Sequence, residues 1–504
     1  MRLTGLVLVL LTCASCARSH DVSSSSSGAT AERGGTSEKP DAAVDEAVPD
    51  AGLATSGSPT LLPELPTPDP EAGDEKSQQR SFGLISDPPH PISDQDELRH
   101  YEVVVDPQQW ARINDTAYLE EYIEGKLMFE GAVVEPVGLR FKGFRGSLYN
   151  CFWFDGEGKA IGRVCDRLSL KLSFNEYDPE GRFYGLKKLN FHAMNNDRSK
   201  LRERLSYWLF RQFGVPAPRS VHATLSVNGQ PLGLFALVEQ VDGRFTRARF
   251  NDGGEGNLYK QRWPMSSTDP EYFMSGLKTN EHDEGVSVDA MVSFAEALQD
   301  ADEDSIEATL AAHTDLDAMM RFLAVDRAVN HWDGITAFRC RPEEEVPPLP
   351  PEVRAAQTPP LGWEVCQNKN FYWYEEGADD GARMWLVAWD TDLTFASRQP
   401  FPAWDEEPES CPIRQSGRPP GCDPLIRYFA TTLRERYVEA SVALLDGPFD
   451  QKRIERRLRR WWAQIEPHMD PPNPLLGDLH SRRLESFITT VADRRAAFAQ
   501  EVGR

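Results

Sequence analysis

The segment Met384-Trp385-Leu386-Val387-Ala388-Trp389 is continuously apolar and runs into Asp390-Thr391-Asp392 with no Gly or Pro between. Such a run predicts a strand buried on both faces that delivers its carboxylates to the strand end. Carboxylates at the edge of a core are costly unless a cation offsets them. Mg²⁺ or Mn²⁺ does so, because hard oxygen donors suit these ions and a bound phosphate completes the shell. Taken alone, the pattern also describes an ordinary solvated strand end, and the rest of the chain has to decide.

The chain opens MRLTGLVLVLLTCASC, with one positive charge, an apolar run from Leu6 to Leu11 and small residues before a cysteine. This predicts a signal peptide over residues 1–16, since a membrane span needs about 20 apolar residues. Ala14-Ser15-Cys16 resembles a bacterial lipobox, although Cys13 stands where that pattern carries Leu. Lipid attachment at Cys16 and plain secretion therefore both stay open. Residues 17–90 are rich in Ser, Gly, Pro and acidic residues, including the run Ser23 to Ser27. They predict a disordered tether, because they bury too little apolar surface to order themselves. The expected setting is the bacterial cell envelope, anchored at the outer membrane if Cys16 is lipidated.

The cysteines beyond the leader form sequence-local pairs, Cys151 with Cys165, Cys340 with Cys366, and Cys411 with Cys422. Short loops close most easily, so disulfides in that pairing are expected of an exported chain. The net charge of −24 argues against nucleic acid as a partner, which needs a basic face. One local exception is Lys452, Arg453, Arg456, Arg457, Arg459 and Arg460, which reads as a solvated helix face before it reads as an anion dock.

LSLKLSF (168–174) and GLKKLNF (185–191) read as strands, and VHATLSV (221–227), Asn228-Gly229 and LGLFALVEQV (232–241) as a hairpin. Between them SKLRERLSYWLFRQFG predicts a helix, with Asp197 or Ser199 as its cap and Gly214 as its stop. Leu201, Leu205, Trp208 and Leu209 form one apolar stripe, while Glu203 shares a second, partly apolar face with Tyr207 and Phe210. Glu203 either points into protein, where it needs a cationic partner, or pairs with Lys200 at the surface. The second half reads as mainly helical. DLDAMMRFLAVDRAVNHWDG predicts a helix ending near Asp333-Gly334, and the last 80 residues hold three further helical patterns. Residues 341–365 are Pro-rich and polar and read as a surface insertion clipped at its base by Cys340 and Cys366.

In chain order the sequence thus offers strand lysines, a helix glutamate, a hairpin ending in Glu239, then Asp333, Asn370 and Asp390. Phosphoryl transfer needs such a set: a lysine steadied by a glutamate for the phosphates, a carboxylate for the acceptor proton, and Asn and Asp for metal.

The run GLKKLNFHAMNNDRSKLRERLSYWLFRQFGVPAPRSVHATLSVNGQPLGLFALVEQVDGRF, with NLYK, NHWDG, NKNFYWY and VAWDTDLTFA, resembles the spore coat protein H (CotH) kinase family over roughly residues 100–500. The resemblance implies an α+β, divergent two-lobed protein-kinase-like fold, with a strand-rich lobe over about 95–260 and a helical lobe over about 261–500. It also implies ATP, Mg²⁺ or Mn²⁺, and a Ser or Thr acceptor on a protein. By match to the family motifs, Asp333 is the catalytic carboxylate, Asp390 and Asn370 bind metal, with Asp392 beside them, and Glu203 is the helix glutamate. Its lysine is Lys171 by first choice, with Lys142 and Lys188 behind it, and Lys142, Lys188 and Glu239 are the candidate nucleotide contacts. RFKGFRGS (140–147) resembles the glycine-containing loop near the phosphates. Two departures stand out: the insertion separates Asp333 from Asn370, and Lys369 precedes Asn370 where His is common.

Three functions compete. The first is an extracytoplasmic Ser/Thr protein kinase acting on secreted or envelope proteins. The second is a non-catalytic surface binding or adhesion protein on the same fold. The third is a metal-dependent hydrolase built on Asp390 and Asp392, which the lack of a His-rich ligand set disfavours. His192 and His331 read as packing or capping residues.

Overall fold

The computed structural model describes residues 89–143, 148, 151–155, 159–337, 339–340, 366–377, 381–395, 404, 419–469 and 479–504. The predicted signal peptide, all but the end of the tether, the tip of the glycine-containing loop, the insertion and Cys411 lie outside the described residues. The chain is α+β.

Its first half supplies β1 (Arg99–Val105), α1 (Pro107–Asp115), β2 (Ile123–Phe129), β3 (Ala132–Phe141), β4 (Phe152–Phe154), β5 (Ala160–Arg163), β6 (Leu170–Ser173) and β7 (Lys188–His192). α2 (Arg202–Gln212), β8 (Ser220–Val227) and β9 (Gln230–Val238) follow. Seven of these strands close a barrel in the order β1-β2-β3-β6-β7-β9-β8, antiparallel throughout except where β8 meets β1. The period of two fixes which side chains fill it. Leu170, Leu172, Leu189, Phe191, Phe235 and Leu237 point into the barrel core. The alternate residues Arg140, Lys171 and Asn190 lie side by side in register, so the outer face carries a polar row. Asn228 and Gly229 both take positive φ, 52° and 73°, as a two-residue hairpin turn requires. The Asn228 side chain also accepts from the Val105 amide at 2.9 Å, pinning the turn to β1.

The second half supplies α3 (Gly243–Arg247), β10 (Leu258–Lys260), α4 (Pro270–Met274), α5 (Asp289–Asp300), α6 (Ile306–His313) and α7 (Leu316–Ala328). Then come β11 (Arg339–Cys340), β12 (Cys366–Gln367), β13 (Phe371–Glu376), β14 (Arg383–Ala388), α8 (Pro424–Ala430), α9 (Arg434–Asp446), α10 (Gln451–Ile465) and α11 (Leu479–Glu501). β10, β13 and β14 form a sheet of three strands. A second core joins it to these helices, to α2 and to Leu234, Ala236 and Val238 of β9. From Leu234 to Val238 β9 is thus buried on both faces, and α2 belongs to the helical core although it is threaded between barrel strands. Gly214 ends α2 at φ 72°, with the Val215 amide donating back to the Phe210 carbonyl at 2.9 Å.

Two expectations need correcting. The helix expected to reach Asp333-Gly334 stops at Ala328, because Asn330 turns into the left-handed region at φ 48° and releases a loop. Among the described residues the C-terminal region holds four helices, α8 to α11, the first of them starting at Pro424, rather than three. The basic cluster on α10 is drawn into local pairing: Arg459 binds Glu455 and Glu485, Arg460 binds Asp96, and Arg453 and Arg457 lie over Trp208.

Cys151 and Cys165 are disulfide-bonded across 14 residues. Cys422 is also disulfide-bonded. β11 and β12 pair so that Cys340 lies directly opposite Cys366. Replacing Cys151 and Cys165 by Ser is expected to cost about 3 kcal/mol through the freed unfolded chain, to be read as a lowered denaturation midpoint with a slope equal to or steeper than wild type.

Candidate active site

The site assembles where the end of β14, the loop after α7 and the outer face of the barrel meet. Trp389 is buried, and Asp390 then takes φ 53°, a conformation that short Asp tolerates better than most residues. Its backbone is held from two sides. The Asp390 amide donates to the Tyr207 hydroxyl of α2 at 2.9 Å, and its carbonyl faces His331 Nε2 at 3.1 Å.

His331 organises the loop. Its Nδ1 lies 3.0 Å from Asp326 Oδ1 on α7 and its Nε2 lies 3.6 Å from Asp333 Oδ1. Burial opposes charge on this imidazole, but the Asp326 hydrogen bond and the acidic neighbours outweigh it and push His331 up to about 9. Protonated, it donates at both nitrogens, to the Asp326 carboxylate and to the Asp390 carbonyl. Thr336 Oγ1 donates to the other Asp326 oxygen at 2.6 Å. Gly334 is required here: a Cβ would lie 2.4 Å from Asp326 Oδ1 and 2.5 Å from His331 Nδ1.

On the barrel side, Lys142 Nζ donates to His192 Nε2 at 2.8 Å, and His192 Nδ1 lies 2.9 Å from Glu203 Oε1. Lysine only donates, so Nε2 accepts, the ring proton sits on Nδ1, and that N–H donates to Glu203. A neutral histidine is therefore inserted between the lysine and the helix glutamate. Lys142, rather than the first-choice Lys171, is thus the lysine joined to Glu203, and the link runs through His192. Burial holds His192 well below its ordinary 6.5, with Lys142 adding to the effect. Burial, then Asp390, push Glu203 up to about 8. Glu203 thus takes the inward alternative, and Lys200 instead donates to the Met194 carbonyl at 2.8 Å.

These shifts set a pH dependence. Above 4.5 the unfolded chain releases the Glu203 proton while the folded chain keeps it to about 8, so stability falls as pH rises through that interval. Below 6.5 the unfolded chain protonates His192 while the folded chain does not, which opposes the slope on the acid side. His331, raised to about 9, adds to the fall above 6.5. The melting temperature is expected to drop between pH 6.5 and 8, and Glu203→Gln to flatten that drop; an unchanged slope in thermal melts across the interval would remove this account.

The remaining candidates divide. Asn370, at φ 62°, donates from Nδ2 to the Asp333 carbonyl at 3.3 Å and accepts from Gln261 Nε2 at 3.4 Å. The insertion therefore leaves Asp333 and Asn370 in contact. Asp333 has its carboxylate 22 % exposed, with one oxygen, Oδ1, buried and without a hydrogen bond. Asp392 is pushed well above the ordinary carboxylate range by burial, then by Asp390, Glu203 and Asp333. Lys171 lies between Arg140 and Asn190 in the outer row, and its charge acts on His192. Lys142, its Nζ 5.7 Å from the Trp389 ring centre, is the lysine linked to Glu203. The structure does not bring Lys188 into this group; its charge acts on Asp242 and Tyr122. Nor does it bring in Glu239, both of whose oxygens are taken by Arg219 (2.6 Å) and Arg249 (2.7 Å). Sequence reasoning overlooked the bridging roles of His192 and His331, and also Lys260, whose Nζ lies 5.7 Å from the Trp389 ring centre. The signal for both histidines was their polarity beside apolar strand and helix runs.

Among the described residues no group of three or more His, Cys, Asp or Glu side chains is gathered as a metal cage. The donors still suit a hard divalent ion: the carboxylates of Asp390 and Asp392, the Asn370 amide, and Asp333 Oδ1, which faces His331 but takes no hydrogen bond.

The family model described as CotH kinase protein matches residues 143–474. The chain belongs to the CotH kinase family. Two curated relatives are similar over shorter stretches. An inner spore coat protein H-like protein of Bacillus subtilis (strain 168) is 41 % identical over 55 residues, 11 % of this chain and 18 % of that protein. Spore coat protein homolog 1 of Rhizopus delemar is 26 % identical over 164 residues, 31 % of this chain and 27 % of that protein. The chain thus spans about a fifth to a quarter of the length of these CotH relatives. Among solved structures, a chain of the Shewanella oneidensis MR-1 HipA, HipB and operator DNA complex aligns at 12 % identity with a TM-score of 0.31, covering 84 % of this chain and 85 % of that one.

Proposed function

We propose that this CotH family member is an ATP-dependent protein kinase that phosphorylates Ser or Thr on secreted or envelope proteins. The observation that carries the reading is the pair of histidine links. His331 ties Asp333 to the Asp390 backbone, and His192, whose ring lies 6.2 Å from that of Trp389, ties Lys142 to Glu203.

In this reading Asp333 accepts the proton of the acceptor hydroxyl. The freed oxygen bonds to the γ-phosphorus of ATP, the bond from that phosphorus to the β–γ bridging oxygen breaks, and ADP leaves with the electron pair. Lys142, with Lys171 of the outer barrel row, holds the phosphate oxygens, and His192 keeps Lys142 oriented against Glu203. Asp390, Asn370 and Asp392 would hold Mg²⁺ or Mn²⁺, which supplies charge neutralisation at the phosphates when bound. The net charge of −24 favours basic acceptor proteins. The leader with Cys16, and relatives named as spore coat proteins, support an exported setting, with lipid attachment as the proposed anchor. Membership of a kinase family favours catalysis over a purely adhesive role.

The test is transfer of label from γ-labelled ATP to the protein or to a basic Ser-rich acceptor, in Mg²⁺ and in Mn²⁺. Label on protein, absent in Asp333→Ala, supports the reading. Phosphate release without protein labelling points to a hydrolase. Folded protein that neither binds nor consumes nucleotide leaves surface binding as the function.

A further inference from the structure

Lys260 ends β10, opposite Tyr372 of β13, and is half-buried. Its ammonium rests 5.8 Å from the Tyr372 ring centre and 5.7 Å from that of Trp389. Among the described residues those rings are its only side-chain partners: no carboxylate stands at ion-pair distance and no acceptor takes a hydrogen bond from Nζ. The ammonium thus has no protein acceptor for its three N–H donors, which only water reaches, and burial disfavours its charge. Lys142, by contrast, has His192 and Asn190 as acceptors.

The position is not incidental to the site. Both lysines contact the Trp389 ring, next to Asp390. Their charges act on each other, and each is drawn toward Asp390. Gln261, the next residue, donates to Asn370. A polyanion between the lysines would replace their repulsion with paired attraction and supply the acceptors that Lys260 lacks.

We propose that Lys260 is a second polyphosphate-binding residue, contacting phosphate oxygens of the nucleotide from the β10–β13 sheet, while Lys142 contacts them from the barrel. This rests on the phosphoryl-transfer reading for the identity of the ligand. The binding chemistry itself is that of a polyphosphate.

The experiment is titration calorimetry of the purified full-length protein, wild type, Lys260→Met and Lys260→Arg, with inorganic tripolyphosphate, ATP and adenosine, alongside thermal melts. Losing one charge-assisted contact is expected to weaken tripolyphosphate and ATP binding by about tenfold or more in Lys260→Met, with adenosine unaffected. Lys260→Arg should restore most of the loss, because it keeps the charge. The Met variant should melt at or above wild type, since its apolar side chain suits the ring contacts. Unchanged tripolyphosphate binding in Lys260→Met, or equal loss of all ligands with a lowered melting temperature, overturns the proposal. So does a wild-type protein that binds no tripolyphosphate. Lys260-dependent anion binding without phosphate transfer to protein would instead keep this site and remove the kinase reading.

Discussion

Asp390→Ala is expected to reduce phosphoryl transfer by on the order of 10³-fold or more while the fold survives. The contacts that hold this residue use its backbone, the amide to Tyr207 and the carbonyl to His331, so both persist when the carboxylate is removed. Alanine pays about 1–2 kcal/mol for the left-handed conformation. Against that, losing the carboxylate relieves Glu203 and Asp392, both of which Asp390 pushes upward. Asp390→Asn separates the effects, because Asn tolerates the backbone and still lacks the charge. Labelled-ATP transfer beside a thermal melt reads both. Transfer above a tenth of wild type in either variant would remove Asp390 from the metal-binding role.

Glu239→Ala is expected to act in the opposite sense, destabilising strongly with no specific kinetic signature. Glu239 is 3 % exposed and accepts from Arg219 at Nη2, Nε and the backbone amide, and from Arg249 at both terminal nitrogens. The two guanidinium groups hold it below the ordinary carboxylate range despite burial. Truncation leaves two cations in a dry setting, a cost of about 3–5 kcal/mol, or on the order of 10 °C in melting temperature for a large domain. Its stabilisation is full above 4.5 and erodes progressively below it, down to the much lower value of the folded carboxyl, so the variant should differ least from wild type in strong acid. A loss under about 1 kcal/mol would mean that the pair is a surface-like contact. A loss of nucleotide affinity with unchanged stability would restore Glu239 as a ligand contact.

How far these residues were legible depends on whether local pattern or cross-strand register decides them. The burial of β14 follows from its own unbroken apolar run, and the inward turn of Glu203 from the second apolar face of α2. The hairpin follows from Asn228-Gly229, whose backbone preference is local. His192 is different: it meets Lys142 only because β3, β6 and β7 pair in one register around a barrel. Nothing in the sequence between residues 142 and 192 states that register. Glu239 looked like a site carboxylate for the same reason, since Arg219 and Arg249 converge on it through folding, not spacing. Lys260 was hidden because β10 is a strand of three residues, too short to show alternation. The end of α7 was misplaced because the apolar period continues past Ala328 while the single residue Asn330 breaks the helix.

The ribbon of β11 and β12 bears on how such a chain diversifies. Antiparallel partners lie about 4.5–5.5 Å apart, so Cys340 and Cys366 bring the entrance and exit of residues 341–365 together. Asp333 and Asn370, 37 positions apart, still touch. The length of the excursion is thereby decoupled from the spacing of these two residues. Mutation is free to lengthen, shorten or rewrite it as an interchangeable attachment, while the contact beneath stays constant.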